Sequence, residues 1–233
     1  MSEQDKTKEP QYELVFRVKE KHGISRLGLM ANESWNQDPR RTLFTMARYK
    51  FVSKMLEGRQ RVLEIGCADA FCTRLVQQTV GHVTAVDFDP LFIADVRERL
   101  DPHWPFDAFV HDMLAGPVPG SYDAVYALDV LEHIAPDQED VFLRNSIAPL
   151  ETHGVAIFGM PSLESQAHAS PQSKAGHVNC KTAPDFKNVM ERHFHSVFLF
   201  SMNDEVVHTG FAPMAHYLFA VCCQKKTDGT KPA

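Results

Sequence analysis

RVLEIGCADAFCTRLVQQTVGHVTAVDFDP, residues 61–90, decides the fold. RVLEIG reads as a short buried strand that ends in an acid, Glu64, and turns at Gly66 into a segment that is helical after Asp69. Such a turn places a ligand at the carboxyl end of a sheet, beside the backbone N–H groups of a helix start. HVTAVDFD is the next strand. It closes on Asp87, about 20 residues further on, where an acid can accept both hydroxyls of a ribose.

Outward from this stretch the alternation continues. LFIADVRERL is a helix, DAFVHDM a third strand, and YDAVYALDV a fourth, followed by a helix through about Leu150. GVAIFGMP is a fifth strand. Strands alternating with helices imply right-handed crossovers and a largely parallel sheet buried on both faces. After Pro161 the rhythm changes. Residues 162–180 read as a long loop, then a helix spans about Ala183 to Phe194, and the strands SVFLFSM and AHYLFAVCC follow. NDEVVHTGFAPM is too short for a helical crossover, so these two strands should pair antiparallel. Upstream, apolar residues from Arg40 to Leu56 recur at helical spacing, after a turn at Asp38-Pro39. The expected division is a tail over 1–12, a helical cover over 13–57, the main domain over 58–226 and a second tail over 227–233.

Composition narrows the function. The chain has 233 residues and is 44% hydrophobic, enough for a real core, which excludes a disordered or low-complexity chain. Net charge is -6, against a general binder of phosphate backbones. The charge is uneven: residues 1–60 carry 12 basic and 8 acidic side chains, so an anionic group would meet the N-terminal segment. Five Cys, at 67, 72, 180, 222 and 223, form no zinc-type pair and no secreted framework, which points to a reducing cytoplasm. The polar start MSEQDKTKEPQ shows no apolar leader. VVHTGFAPMAHYLFAVCCQ reads as a loop and a buried strand rather than a membrane helix.

LEIGCADAF, AVDFDP, VHDM and YDAVYALDVLEHI together resemble the motifs of the Rossmann-like (class I) S-adenosylmethionine-dependent methyltransferases, in the branch that acts on small molecules. The resemblance runs from about Arg61 to Pro161. It implies a three-layer α/β sandwich with a mostly parallel seven-stranded sheet and an antiparallel C-terminal strand pair. It also implies S-adenosylmethionine as cofactor. By it, Gly66 and Ala68 approach the methionine part of the cofactor, Glu64 sits beneath, and Asp87 with Phe88 takes the ribose end. Asp112 and Met113 serve the adenine, Leu128 and Asp129 line the methionine side, and Arg48 and Tyr49 meet its carboxylate. Relatives often carry Gly where this chain has Ala68 and Ala70.

Methyl transfer needs mainly geometry, with a base when the acceptor is a hydroxyl. His177, in an H-x-x-x-x-T stretch ending at Thr182, is the expected base, with His133 second; His208 also stands out among the 12 His. Asp129-x-x-Glu132-His133 is similar to the acidic/His cluster with which small-RNA 2′-O-methyltransferases hold magnesium. LEH is also common in relatives without one, and the expected site has no metal. Asp129 and Glu132 also have the spacing of a capping box.

The resulting expectation is an enzyme that methylates an oxygen of a sugar, quinone or natural-product-type metabolite. It would have no general nucleic-acid or membrane partner, and a homodimer is left open. No [DNS]-P-P-[FYW] follows strand four, no Pro-Cys pair exists, and no Tyr-x-x-x-Lys occurs. These absences disfavour amino methylation of bases, carbon-5 pyrimidine methylation and a nicotinamide oxidoreductase. A non-catalytic cofactor-binding protein is the other reading.

Overall fold

The computed structural model describes residues 7–226; the tail expected over 227–233 lies outside them. Three helices precede the sheet: α1 (Glu13–His22), α2 (Leu29–Gln37) and α3 (Arg40–Met55). The alternation follows as β1 (Arg61–Ile65), α4 (Thr73–Gln77), β2 (His82–Asp87), α5 (Pro90–Arg99), β3 (Asp107–Val110), β4 (Tyr122–Leu128), α6 (Glu139–Ile147) and β5 (Leu150–Pro161). The C-terminal part holds α7 (Pro171–Gly176), α8 (Ala183–Glu191), β6 (Phe194–Asn203), β7 (Val206–His208) and β8 (Tyr217–Lys225).

All strands join one sheet in the order β3-β2-β1-β4-β5-β8-β6-β7. The pairs from β3 to β5 are parallel, whereas β8 runs antiparallel to both β5 and β6. Strand order reverses between β1 and β4, so the crevice at their carboxyl ends is the natural ligand position. The sheet has eight strands rather than seven, because Val206–His208 folds back on β6 as a short antiparallel edge.

Successive residues of each strand face opposite layers. Leu63, Ile65, Val125 and Phe158 pack with Phe142 of α6 and Phe186 of α8. Val62, Ala124, Tyr126 and Ile157 pack with Tyr49, Val52 and Leu56, at or just beyond α3, and with Val76 of α4. Thus α3 belongs to the body of the sandwich, whereas α1 and α2 bury none of their residues.

Two local expectations are corrected. The helix expected straight after β4 is a short 3-10 turn over Leu131–His133, with α6 starting only at Glu139. Pro136 bars helical backbone at the residue before it and separates the two. The stretch 162–180 holds a 3-10 turn over Glu164–His168 and α7. Ser170 caps α7 by accepting from Ser173 N–H, with Pro171 at the first helical position, a local start signal that the loop reading overlooked. Among the described residues, no helix is long and apolar enough to cross a membrane.

Candidate active site and cofactor cleft

The turn after β1 enters the crevice through Gly66, at φ 72, where any Cβ would collide with the Val130 side chain leaving β4. Ala68 and Ala70 then adopt the left-handed region at φ 45 and φ 50. The chain keeps the backbone shape that glycine makes easy and carries its steric cost. Asp87 holds this turn: its Oδ2 accepts from Ala68 N–H at 2.8 Å and its Oδ1 from Asp89 N–H at 2.9 Å. Each oxygen retains a further lone pair for a ligand hydroxyl. Beside it Phe88 is 73% exposed, and Leu91 and Val110 are exposed as well. These apolar side chains flank the sheet edge towards Asp112, whose Oδ1 caps the next turn through Leu114 N–H at 2.8 Å. Met113 is buried, and its carbonyl accepts from Asn145.

Glu64 points into the layer of α3 and α4. Tyr49 donates to its Oε1 at 2.7 Å and Thr73 to its Oε2 at 2.6 Å. Burial raises its carboxyl to about 7 despite these donors. Tyr49 and Glu64 therefore engage each other beneath the turn. Arg48, one residue earlier on α3, reaches the end of β4: Nη1 lies 2.8 Å from both carboxylate oxygens of Asp129. Its guanidinium also lies 4.0 Å over the Tyr217 ring. Asp129 itself is left-handed at φ 57, and Leu128 before it is buried.

Three of the expected side chains meet beyond Asp129. Glu132 is 1% exposed, neither carboxylate oxygen has a hydrogen-bond partner, and burial raises its carboxyl well above the ordinary range. Its carbonyl accepts from Val178 and Asn179 N–H at 2.8 and 3.0 Å, which pins the end of the 162–180 stretch against the β4 exit. The same closure brings the His133 and His177 rings to 5.1 Å, edge to face. One ligand atom from each of Glu132, His133 and His177 lies within 4.8 Å of the others.

Their tautomers follow from their partners. Gln166 Nε2 donates to the Ser162 carbonyl, which leaves Oε1, 2.8 Å from His177 Nδ1, as acceptor. Gly176 carbonyl oxygen lies 2.9 Å from His133 Nδ1. In a neutral ring either bond places the proton on Nδ1 and leaves the lone pair on Nε2. Burial, and next His133, lower the affinity of His177 for a proton, which favours its neutral form. His208 stands apart on β7, where Asn203 and Gly210 occupy both its nitrogens.

Sequence reasoning missed Gln166, the orienter of His177, and Tyr217 under Arg48. It also missed Asp69, whose Oδ2 accepts from Ala31 N–H at 2.7 Å and ties the N-terminal segment to the turn. Each depends on contacts distant in sequence, and no local pattern marks them.

Residues 62–154 match the family described as "Methyltransferase domain". Among curated proteins, the Ubiquinone biosynthesis O-methyltransferase of Xanthomonas euvesicatoria pv. vesicatoria (strain 85-10) is 31% identical over 121 residues, 49% of this chain and 50% of that protein. The chain thus spans about half the length of the curated relatives it matches. The N-methyltransferase NodS from Bradyrhizobium japonicum WM9, in complex with S-adenosyl-l-homocysteine, superposes with a TM-score of 0.58 at 18% identity, over 82% of this chain and 91% of that one. The methyltransferase domain of bacterial CtHen1-C gives 0.64 at 17%, over 77% and 98%.

The chain thus shares its fold with methyltransferases crystallised with the S-adenosyl group, and its central sequence resembles a methyltransferase domain. The residues fit the cofactor. Arg48 Nε and Tyr217 Oη are buried beside Asp129 without partners, free for the polar methionine end, and the exposed Phe88 and Leu91 offer apolar walls for a base.

Proposed function

We propose that this chain methylates an oxygen of a small-molecule acceptor of the sugar, quinone or natural-product kind, in the cytoplasm. The observation that carries the reading is His177, bonded through Nδ1 to Gln166 at 2.8 Å and held at the β4 exit, where burial favours the neutral ring whose Nε2 can take a proton. The relative named for O-methylation in ubiquinone biosynthesis supports an oxygen acceptor, and the five free cysteines support a reducing compartment.

When bound, S-adenosylmethionine would supply an electrophilic methyl on a sulfonium, the S–CH3 electron pair staying on sulfur as the acceptor oxygen takes the methyl. His177 Nε2 takes the hydroxyl proton. Asp87 keeps the Ala68 turn in place, and Arg48 and Asp129 fix the end of β4. Calorimetry with S-adenosylmethionine, and turnover on a panel of phenols, quinols and sugars, test the reading. His177→Ala should lower turnover by roughly 10²–10⁴-fold with cofactor affinity near wild type. Asp87→Ala should weaken cofactor binding by tenfold or more, since charge-assisted hydrogen bonds are worth about 1.5–3 kcal/mol each. Cofactor binding without turnover on any acceptor would favour a non-catalytic role.

A second reading rests on Glu132, whose two buried oxygens have no partner. With the Nε2 atoms of His133 and His177 it offers a carboxylate and two imidazoles, a donor set suited to a divalent transition ion that would lower the acceptor's pKa. Loss of turnover on chelation, restored by added metal and absent in Glu132→Gln, would select it. Unchanged turnover after chelation would leave His177 as the base alone.

A further inference from the structure

A separate group of metal-ligating side chains lies outside the cleft, where the N-terminal segment meets the end of α5. α1 ends at His22, and Gly23 follows at φ 72, its N–H donating to the Lys19 carbonyl at 2.8 Å. The His22 ring packs edge-on against His103, 4.3 Å between centroids. His103 Nδ1 lies 2.9 Å from Asp101 Oδ1, which also accepts from His103 N–H at 2.8 Å. One ligand atom of each of the three residues lies within 4.8 Å of the others.

An ordinary Asp–His pair accounts for Asp101 and His103. It does not account for His22, whose Nδ1 is buried and has no hydrogen-bond partner. A buried imidazole nitrogen without a partner carries a desolvation cost that a metal ion would remove. Nor does apolar packing explain why His22 comes here, since α1 buries no residue. The nearby Arg26–Glu98 pair, 2.9 Å apart, is exposed on both sides and holds little by itself.

We propose that His22, Asp101 and His103 form a site for a divalent ion of the zinc type that staples residues 22–31 across the cofactor turn. Two imidazoles and a carboxylate, with water in the fourth position, form a zinc-type donor set. Metal–ligand distances of about 2.0–2.2 Å in a tetrahedron need the three atoms to close to roughly 3.3 Å of one another. From the staple the segment runs to Gly28, packed on the Asp69 side chain, and to Ala31, whose N–H Asp69 accepts. Asp69 sits between Ala68 and Ala70. An ion that binds only the docked segment stabilises that docking by mass action, and with it the turn.

The test uses the full chain stripped of metal, with His133→Ala and His177→Ala introduced to silence the cluster in the cleft. Calorimetric titration with Zn2+ should still saturate at one equivalent. Adding His22→Ala or His103→Ala should each weaken binding by about 100-fold or more, since even indirect partners of a ligand cost 10–100-fold. In the wild-type chain, Zn2+ should slow hydrogen exchange of the amides in 13–31, and it should not do so in His22→Ala. No saturable Zn2+ binding in the silenced background, or binding untouched by both histidine variants, would overturn the site. Binding without slowed exchange would overturn the staple. Circular dichroism checks folding, which these surface histidines should not disturb.

Discussion

Replacing Ala68 by glycine should stabilise this protein, although the change removes a methyl group and adds backbone freedom. Ala68 sits at φ 45, a left-handed backbone that costs an L-residue about 1–2 kcal/mol. Glycine relieves that strain but loses roughly 0.5–1 kcal/mol more conformational entropy on folding than alanine. Ala68 is only partly buried, so little packing is lost. The net expectation is a gain of about 0.5–1 kcal/mol, or a rise in Tm of about 1–4 °C for a chain of this length. Ala70, at φ 50, is the internal control. It is 7% exposed, in a cluster with Ala85, Ile93 and Val96, and its methyl contributes about 0.8 kcal/mol of burial. Ala70→Gly should therefore come out close to neutral. Urea unfolding with an unchanged slope, together with thermal melts, measures both. Ala68→Gly less stable than wild type, or Ala70→Gly the more stabilising of the two, would refute the reasoning.

Two further outcomes follow from the buried charges. Glu64 is raised in the folded protein to about 7, so the fold binds its proton more tightly than the unfolded chain does. Its contribution is fully present below about pH 4.5 and declines on the order of 3 kcal/mol as pH rises through 7; Glu64→Gln should flatten that part of the stability profile, and an identical profile would exclude Glu64 as its source. Arg48→Met leaves Asp129 unpaired beside the buried Glu132 and should cost roughly 1–3 kcal/mol, partly offset by water reaching Asp129; a Tm within about 1 °C of wild type would show that the pair contributes nothing.

The reach of the sequence differs from element to element for physical reasons. Apolar runs such as RVLEIG and HVTAVDFD, closed by Glu64 and Asp87, signal strand ends by local composition, and the glycine turn between them depends only on its own backbone. That signal was enough for the alternation, the parallel sheet and the antiparallel final pair. Pro136 and the Ser170-Pro171 start were also written locally, and they went unread because loop composition outweighed them.

Other features could not be read locally at all. Alternation places Val62 and Glu64 on the same face of β1, but only the packing of α3 and α4 determines that this face is closed over and Glu64 buried under Tyr49 and Thr73. Arg48 and Asp129 are 81 residues apart, and their pairing follows from where α3 crosses the end of β4. His177 joins Glu132 and His133 because the Glu132 carbonyl captures the returning chain at Val178 and Asn179. Residue types and strand ends are properties of short segments, and the sequence by itself determined those. Which side chains share a dry pocket, and so what charge each carries, depends on long-range closure, and only the tertiary structure decided it.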